Sequence, residues 1–510
     1  MRVLIFHGYL LRGTGSNVYN AELGHALVGA GHELHLLCQD RSPLDLPWVD
    51  AAGDWDGGEL ELTIRRDPPR ATVYRPDLGG LLPVYVADRY DAIEARPFED
   101  LDEAEVAAYV ERNVAAVAEV VARARPDVAL ANHLVMGPLI LARALAAAGV
   151  PYAVKIHGSA LEYTVKRHPR FLPAAREGLA GARGVLVGSS HTAESLWAAL
   201  PEPGLREKTR LGPPGVDVRR FAPRGPEAAA AGLAGLRERL LGASAGDEPA
   251  GSSFSRSSAE AAAALGALDP ARDRIVVYVG KLIASKGVEL LLAAWPRVLE
   301  RVPDARLLVV GFGALRDELE GLAGALSRGD LDAAASLRGE DGRELPELAA
   351  FLAGLGPGAA SYGAAAAGMA DRVHWAGRLE HAELADVLPV ADAMAMPSTF
   401  PEAFGMVAAE AAACGALPVV AGHSGMAEVA RALAAAAPPE VRPWLTFEVG
   451  PQAVSELADH LASWLAAAPA LRARAREAIV GVARERYSWD GVAATVIAAA
   501  EGRLDGLPEA

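Results

Sequence analysis

The chain has 510 residues, of which 51% are hydrophobic, 22% charged and 6% aromatic, with a net charge of −16. This composition excludes wholesale disorder, and at roughly 150 residues per domain the length allows two to four domains. The acidic balance argues against a nucleic-acid partner, whose binders carry a basic face, and gives no support to association with an anionic membrane surface.

The chain starts Met1-Arg-Val-Leu-Ile-Phe-His-Gly8. Its apolar run is too short for a secretory signal and reads as a first strand. Short apolar runs then alternate with helical patterns: Val3–Phe6, Glu33–Cys38, Val128–Ala131, Tyr152–Ile156 and Gly184–Val187. A second series follows: Ile275–Val279, Arg306–Val310, Val373–Trp375, Ala393–Met396 and Leu417–Val420. Continuous apolar runs are what strands buried on both faces of a parallel sheet require. Two such series predict two doubly wound α/β domains. The first is assigned to residues 1–222 and the second to 271–486. Between them, residues 223–270 are rich in Ala, Gly, Ser and Pro and read as a flexible insertion or linker. An Ala/Gly-rich stretch at about 327–369 reads as a surface insertion in the second domain. Residues 487–510 read as a C-terminal helix. Cys38 and Cys414 lie in apolar runs and read as buried thiols, which suits a reducing cytoplasm, the expected location. No apolar run approaches the roughly 18 residues of a membrane span.

Four constellations could carry chemistry. Gly13-Thr14-Gly15-Ser16-Asn17 lies between a strand and a helix, where glycines admit a ligand to the backbone and a helix start offers free N–H groups. His157-Gly158 stands at the carboxyl end of a strand, where ligands of such sheets bind. In Gly280-Lys281-Leu-Ile-Ala-Ser-Lys286-Gly287, two ammonium groups flank a turn and could neutralise a diphosphate without a metal. Most specific is Met396-Pro-Ser-Thr-Phe-Pro-Glu402-Ala-Phe404-Gly405-Met406-Val-Ala-Ala-Glu410, followed by Gly415 and Pro418. It parses as strand, loop, helix, Gly stop and strand. If helical throughout, Glu402 and Glu410 would have Cα atoms about 12 Å apart. That spacing suits two separate hydroxyl-binding carboxylates better than a hydrolytic pair. Asp54-Trp-Asp56 has the form of a DxD metal pair but reads as a solvated turn. Gly311-Phe-Gly313 is half a dinucleotide fingerprint, without its third glycine or ribose acid.

With these residues in view, the chain resembles the family-four glycosyltransferases. Glu402–Glu410 looks like that family's E-x7-E motif, and Gly280-Lys281 through Lys286-Gly287 is similar to its G-R-x4-K-G segment, with Lys281 where Arg is usual. Gly15-Ser-Asn17-Val-Tyr19 resembles the G-G-x-N-x-Y loop, with Thr14 in place of the first glycine. Gly31-His32-Glu33 resembles the G-H-E-V turn, Gly215-Val-Asp217 through Phe221-Ala-Pro223 the G-V-D-x3-F-x-P segment, and His157-Gly158 the His-Gly beside the donor sugar. The resemblance implies the glycosyltransferase-B fold, with two Rossmann-like domains facing a cleft and the C-terminal helix crossing back to the first. It implies transfer from a nucleoside-diphosphate sugar with anomeric configuration retained, with no metal or other cofactor. By carry-over, Glu410 would hold the ribose and Glu402 a sugar hydroxyl. The amides of Phe404, Gly405 and Met406, together with Gly280, would place the donor. Lys281, Lys286 and the Gly15 amide would stabilise the departing diphosphate, His157 would orient the sugar, and Asn17 would contact the acceptor. The rival readings are an epimerase or hydrolase on a similar fold and a non-catalytic nucleotide-sugar binder. Sugar, nucleotide, acceptor and oligomeric state are not readable from the residues.

Overall fold

A computed structural model describes residues 1–13, 15–56, 58–85, 94–243 and 256–510. The chain divides into two compact units, Met1–Gly215 with Ser488–Ala510, and Val216–Tyr487.

The first unit is built on a sheet of β1 (Arg2–Phe6), β2 (Glu33–Leu37), β3 (Ala51–Asp56), β4 (Glu59–Ile64) and β5 (Ala71–Arg75). A separate parallel pair, β6 (Leu81–Val84) and β7 (Glu94–Pro97), precedes the remaining strands of the main sheet: β8 (Val128–Asn132), β9 (Tyr152–Ile156), β10 (Gly184–Val187) and β11 (Thr209–Leu211). The order in the main sheet is β11-β10-β9-β8-β1-β2-β5-β3-β4, and every pair except β3 with β4 is parallel. Strand order therefore turns about β1, between β8 and β2. This is the kind of switch point where ligands of open α/β sheets bind. The helix Gly15–Gly29 follows β1 and buries Tyr19, Leu23 and Leu27. The last helix, Trp489–Glu501, packs on that helix and on β8, β9 and β10. Trp489 meets Tyr19 with ring centroids 5.5 Å apart.

The second unit carries β12 (Arg274–Val279), β13 (Ala305–Val310), β14 (Val373–Gly377), β15 (Ala393–Met396), β16 (Leu417–Ala421) and β17 (Thr446–Phe447), all parallel in the order β14-β13-β12-β15-β16-β17. This is the doubly wound arrangement, with its switch point between β12 and β15. The strands are near-continuous runs such as Ile275-Val-Val-Tyr278, buried on both faces by helices. Cys38 and Cys414 are both free and buried. No described helix is long and apolar enough to cross a membrane.

Three expectations are corrected. The first unit ends at Gly215, not 222, because Val216 and Phe221 are buried in the core of the second unit and the Val216 N–H donates to the carbonyl of Tyr487. Residues 223–270 are not simply a linker. They form helices Pro226–Ala243 and Ser258–Gly266, which bury Leu233, Leu236, Leu240 and Leu265 in that core. Alanine favours helix, and the three leucines 233, 236 and 240 recur at helical spacing. Arg224 and Arg239 both pair with Asp386 at 2.6 Å. The most linker-like part, 244–255, lies outside the described residues. The stretch 327–369 is likewise no surface excursion. Its helices Pro346–Gly354 and Ala359–Ala366 bury Phe351 and Tyr362, and the Tyr362 hydroxyl donates to the Ala293 carbonyl at 2.8 Å.

Candidate functional site

In the second unit, the segments after β12 and β15 meet at the switch point. Gly287 has φ 64°, and a Cβ there would lie 2.0 Å from the Pro397 carbonyl oxygen. Only glycine allows these two segments such an approach. The N–H groups of Thr399 and Phe400 then donate to the Ser285 carbonyl at 3.1 and 3.3 Å. This contact brings Lys286 onto Glu402: the ammonium pairs with Oε1, to which Ser398 Oγ also donates at 2.8 Å. Both members stay accessible, with side chains 25% and 19% exposed. The backbone of Glu402 is tied at both ends to the start of helix Ser424–Ala436. Its N–H donates to Ser424 Oγ at 3.0 Å, and its carbonyl accepts from the Gly425 N–H at 2.9 Å. His423 Nε2 donates to the Ser398 carbonyl at 2.9 Å, and its Nδ1 lies 3.2 Å from Ser424 Oγ.

The helix Met406–Cys414 begins after Gly405, whose φ is 108°, with no side-chain cap. Its first N–H groups are thus left without a side-chain acceptor, as an anion site requires. Phe404, just before it, is buried edge-to-face on Tyr487 at 5.3 Å. Glu410, on the same helix, is 2% exposed and accepts from His381 Nε2 at 2.7 Å. Gly280 and Lys281 follow β12, where Tyr278 Oη donates to the Lys281 carbonyl at 2.7 Å. Lys286 and Glu402 are therefore brought together directly, and Glu410 has a partner of its own in His381. Gly311 has a packing reason of its own: a Cβ there would come within 2.0 Å of the Gly280 carbonyl oxygen.

In the first unit, the residues after β1, β8 and β9 converge. His157 Nε2 donates to Asn132 Oδ1 at 2.7 Å. Asn132 is held by bonds from its Nδ2 to the Phe6 carbonyl (3.1 Å) and to Asn20 Oδ1 (2.8 Å). His7 donates from Nε2 to Asn17 Oδ1 at 3.0 Å and accepts at Nδ1 from Asn20 at 3.1 Å. Asn17 Nδ2 donates to the Arg12 carbonyl at 2.7 Å, so the amide of this expected acceptor contact is engaged on both sides by the loop. Burial pushes His7 down to about 4. Burial, with His133, Lys155 and His7 nearby, holds His157 well below the usual imidazole range. Both rings are thus neutral at physiological pH. Gly15 opens the helix after β1, and Thr14 lies outside the described residues. Asp54 is not in a turn: it lies on β3, which ends at Asp56, and pairs with Arg75 at 2.6 Å. Among the described residues no group of three or more His, Cys, Asp or Glu side chains is placed to hold a metal ion.

His381, His423, Ser424, Asn20 and Asn132 escaped the sequence reading. Lone His, Ser and Asn residues carry no pattern, although Asn132 and His423 each follow or close a recognisable strand run.

Residues 14–204 match the family described as glycosyl transferase 4-like domain, and residues 273–339 and 331–479 match glycosyl transferases group 1. A D-inositol 3-phosphate glycosyltransferase of Segniliparus rotundus is 34% identical over 249 residues, 49% of this chain and 44% of that protein. A GDP-mannose-dependent alpha-(1-6)-phosphatidylinositol monomannoside mannosyltransferase of Mycolicibacterium smegmatis is 29% identical over 213 residues, 42% of this chain and 38% of that protein. The matches thus span less than half the length of these curated relatives. Sucrose-phosphate synthase from Thermosynechococcus elongatus superposes with a TM-score of 0.58 at 19% identity, over 97% of both chains. HepE of Anabaena, in complex with UDP and glucose, superposes with a TM-score of 0.56 at 16% identity, over 98% of both. The matched segments and the two doubly wound sheets together make this chain a member of the family-four glycosyltransferases, with the glycosyltransferase-B fold.

Proposed function

We propose that the chain transfers a glycosyl unit from a nucleoside-diphosphate sugar to an acceptor hydroxyl, with retained anomeric configuration and without a metal. The observation that carries this reading is the Lys286–Glu402–Ser398 cluster beside an uncapped helix start at the switch point of the second unit. Breaking the bond between the anomeric carbon and the phosphate oxygen leaves negative charge on the diphosphate. Groups that stabilise this charge more in the transition state than in the ground state raise the rate. Lys281, Lys286 and the N–H groups around Gly405 and Met406 are assigned to it. As the acceptor oxygen bonds to the anomeric carbon, its proton passes to the departing phosphate oxygen. Glu402 accepts from a donor sugar hydroxyl, and Ser398 fixes its orientation. Glu410 accepts from the ribose hydroxyls. His157, neutral and with Nε2 committed to Asn132, presents Nδ1 as a hydrogen-bond acceptor and so orients a hydroxyl without needing to deprotonate it.

The names of the relatives make UDP- and GDP-sugars the first donors to try. A thermal-shift panel finds the donor, because a bound ligand raises stability by mass action. Product analysis by NMR with an acceptor panel then shows a glycoside of the donor's own anomeric configuration, in excess chelator as in its absence. Inverted product would overturn the retaining assignment. Loss of turnover in chelator, restored by Mg²⁺ or Mn²⁺, would overturn metal independence. Sugar released or isomerised from donor alone, with none transferred to any acceptor, would favour a hydrolase or epimerase. Donor binding with no turnover across the panel would favour a non-catalytic binder.

A further inference from the structure

Glu410 is nearly fully buried, and one of its two oxygens is already engaged: His381 Nε2 lies 2.7 Å from Oε1. A carboxylate can only accept, so the imidazole nitrogen is the donor. His381 is the first residue of the helix His381–Val387, whose start is fixed by a reciprocal capping box between Glu380 and Glu383. Its ring lies 5.0 Å from the ring of Phe221, at an interplanar angle of 40°. Phe221 is fully buried, and its N–H donates to the Asp217 carbonyl at 2.7 Å. The Phe221 of the Asp217-to-Pro223 segment thus holds His381 in place, and His381 holds Glu410. A carboxylate with one oxygen anchored presents the other in a single orientation. That is what recognition of vicinal hydroxyls needs, since a freely turning acceptor would lose rotamer entropy on binding.

We propose that His381, clamped by the Phe221 ring, is a positioning residue for the nucleoside of the donor: it anchors Oε1 of Glu410 so that Oε2 accepts from the ribose hydroxyls. This rests on the reading of Glu410 as the ribose-binding carboxylate. The test is titration calorimetry with UDP and GDP, and with the 2′-deoxy form of whichever binds more tightly. The wild-type protein binds the ribonucleotide about tenfold more tightly than its 2′-deoxy form, the usual worth of one hydrogen bond to a charged group. His381→Ala brings this ratio to about twofold or less and leaves the 2′-deoxy affinity nearly unchanged. In turnover it raises KM for the donor more than it lowers kcat. His381→Gln, whose amide N–H can still donate, restores most of the ratio, and Phe221→Leu gives an intermediate value. If His381→Ala keeps the wild-type ratio while Glu410→Ala abolishes it, the proposal for His381 is overturned and the ribose reading stands. If Glu410→Ala keeps the ratio, or the wild type shows none, the ribose reading itself is overturned. Failure of His381→Gln to restore the ratio would assign the effect to ring packing and overturn the hydrogen-bond role.

Discussion

Around β12 and β15 of the second unit the side chains that meet are charged: Lys286 on Glu402, partly exposed, beside an uncapped helix start. Around β1, β8 and β9 of the first unit they are neutral: His7, Asn17, Asn20 and Asn132, almost wholly buried and joined by hydrogen bonds, with the part-buried His157 bonded to Asn132. Both clusters stand at the carboxyl ends of strands beside a switch in strand order, so topology alone does not separate their roles. Electrostatics does. A partly exposed ion pair keeps its cation within reach of an incoming anion. A buried neutral network keeps a fixed pattern of donors and acceptors across the working pH range, which suits hydroxyl groups. Lys155 is the exception within the first unit. It is 1% exposed, its ammonium donates to the Gly212 carbonyl and lies 5.5 Å from the Tyr19 ring centroid, and burial pushes it down to about 7.

Three substitutions sharpen or break this contrast. The largest effect is expected from Gly287→Ala, which puts a Cβ against the Pro397 carbonyl at a positive φ. It should destabilise the second unit by about 3 kcal/mol, read by urea denaturation. Stability within about 0.5 kcal/mol of wild type would show that the two segments can part freely. Next is Lys155→Met. Its folded pKa, about 7, lies below the unfolded 10.5, so the unfolded chain binds more protons between these values and wild-type stability rises as pH climbs through that window. Removing the lysine should therefore raise stability at pH 7 by on the order of 2 kcal/mol, after allowing for the lost Gly212 hydrogen bond. The gain should shrink toward pH 10. A gain independent of pH would mean that Lys155 does not carry this titration. The smallest effect is expected from Asp54→Asn: turnover within about twofold and stability within about 1 kcal/mol, as for a surface ion pair. A large loss of turnover would revive the metal-pair reading of Asp54 and Asp56.

The sequence made the second unit's sheet readable because its strands are apolar on both faces and stand out as runs, and Ala393–Met396 was found to the residue. The β3–β4 hairpin was not readable, since β4 is an edge strand that buries little beyond Leu60. The helices between 223 and 270 were hidden by a composition shared with linkers. Lys286, Glu402 and Glu410 were legible because spacing within a short segment marks them. His381 and Asn132 were not, because their partners lie 29 and 112 residues away, at Glu410 and Asn20, and only the folded sheet brings them together.

The central claim is that the cation beside Glu402 stabilises the departing diphosphate. It is tested most directly by kcat for Lys286→Ala and Lys286→Arg on the identified donor, with folding confirmed by thermal unfolding. The account predicts a fall of roughly 10²-fold or more for Lys286→Ala, the usual cost of one preorganised charge donor, with a much smaller loss for Lys286→Arg, which keeps the charge. A folded Lys286→Ala protein turning over within a few-fold of wild type would contradict it.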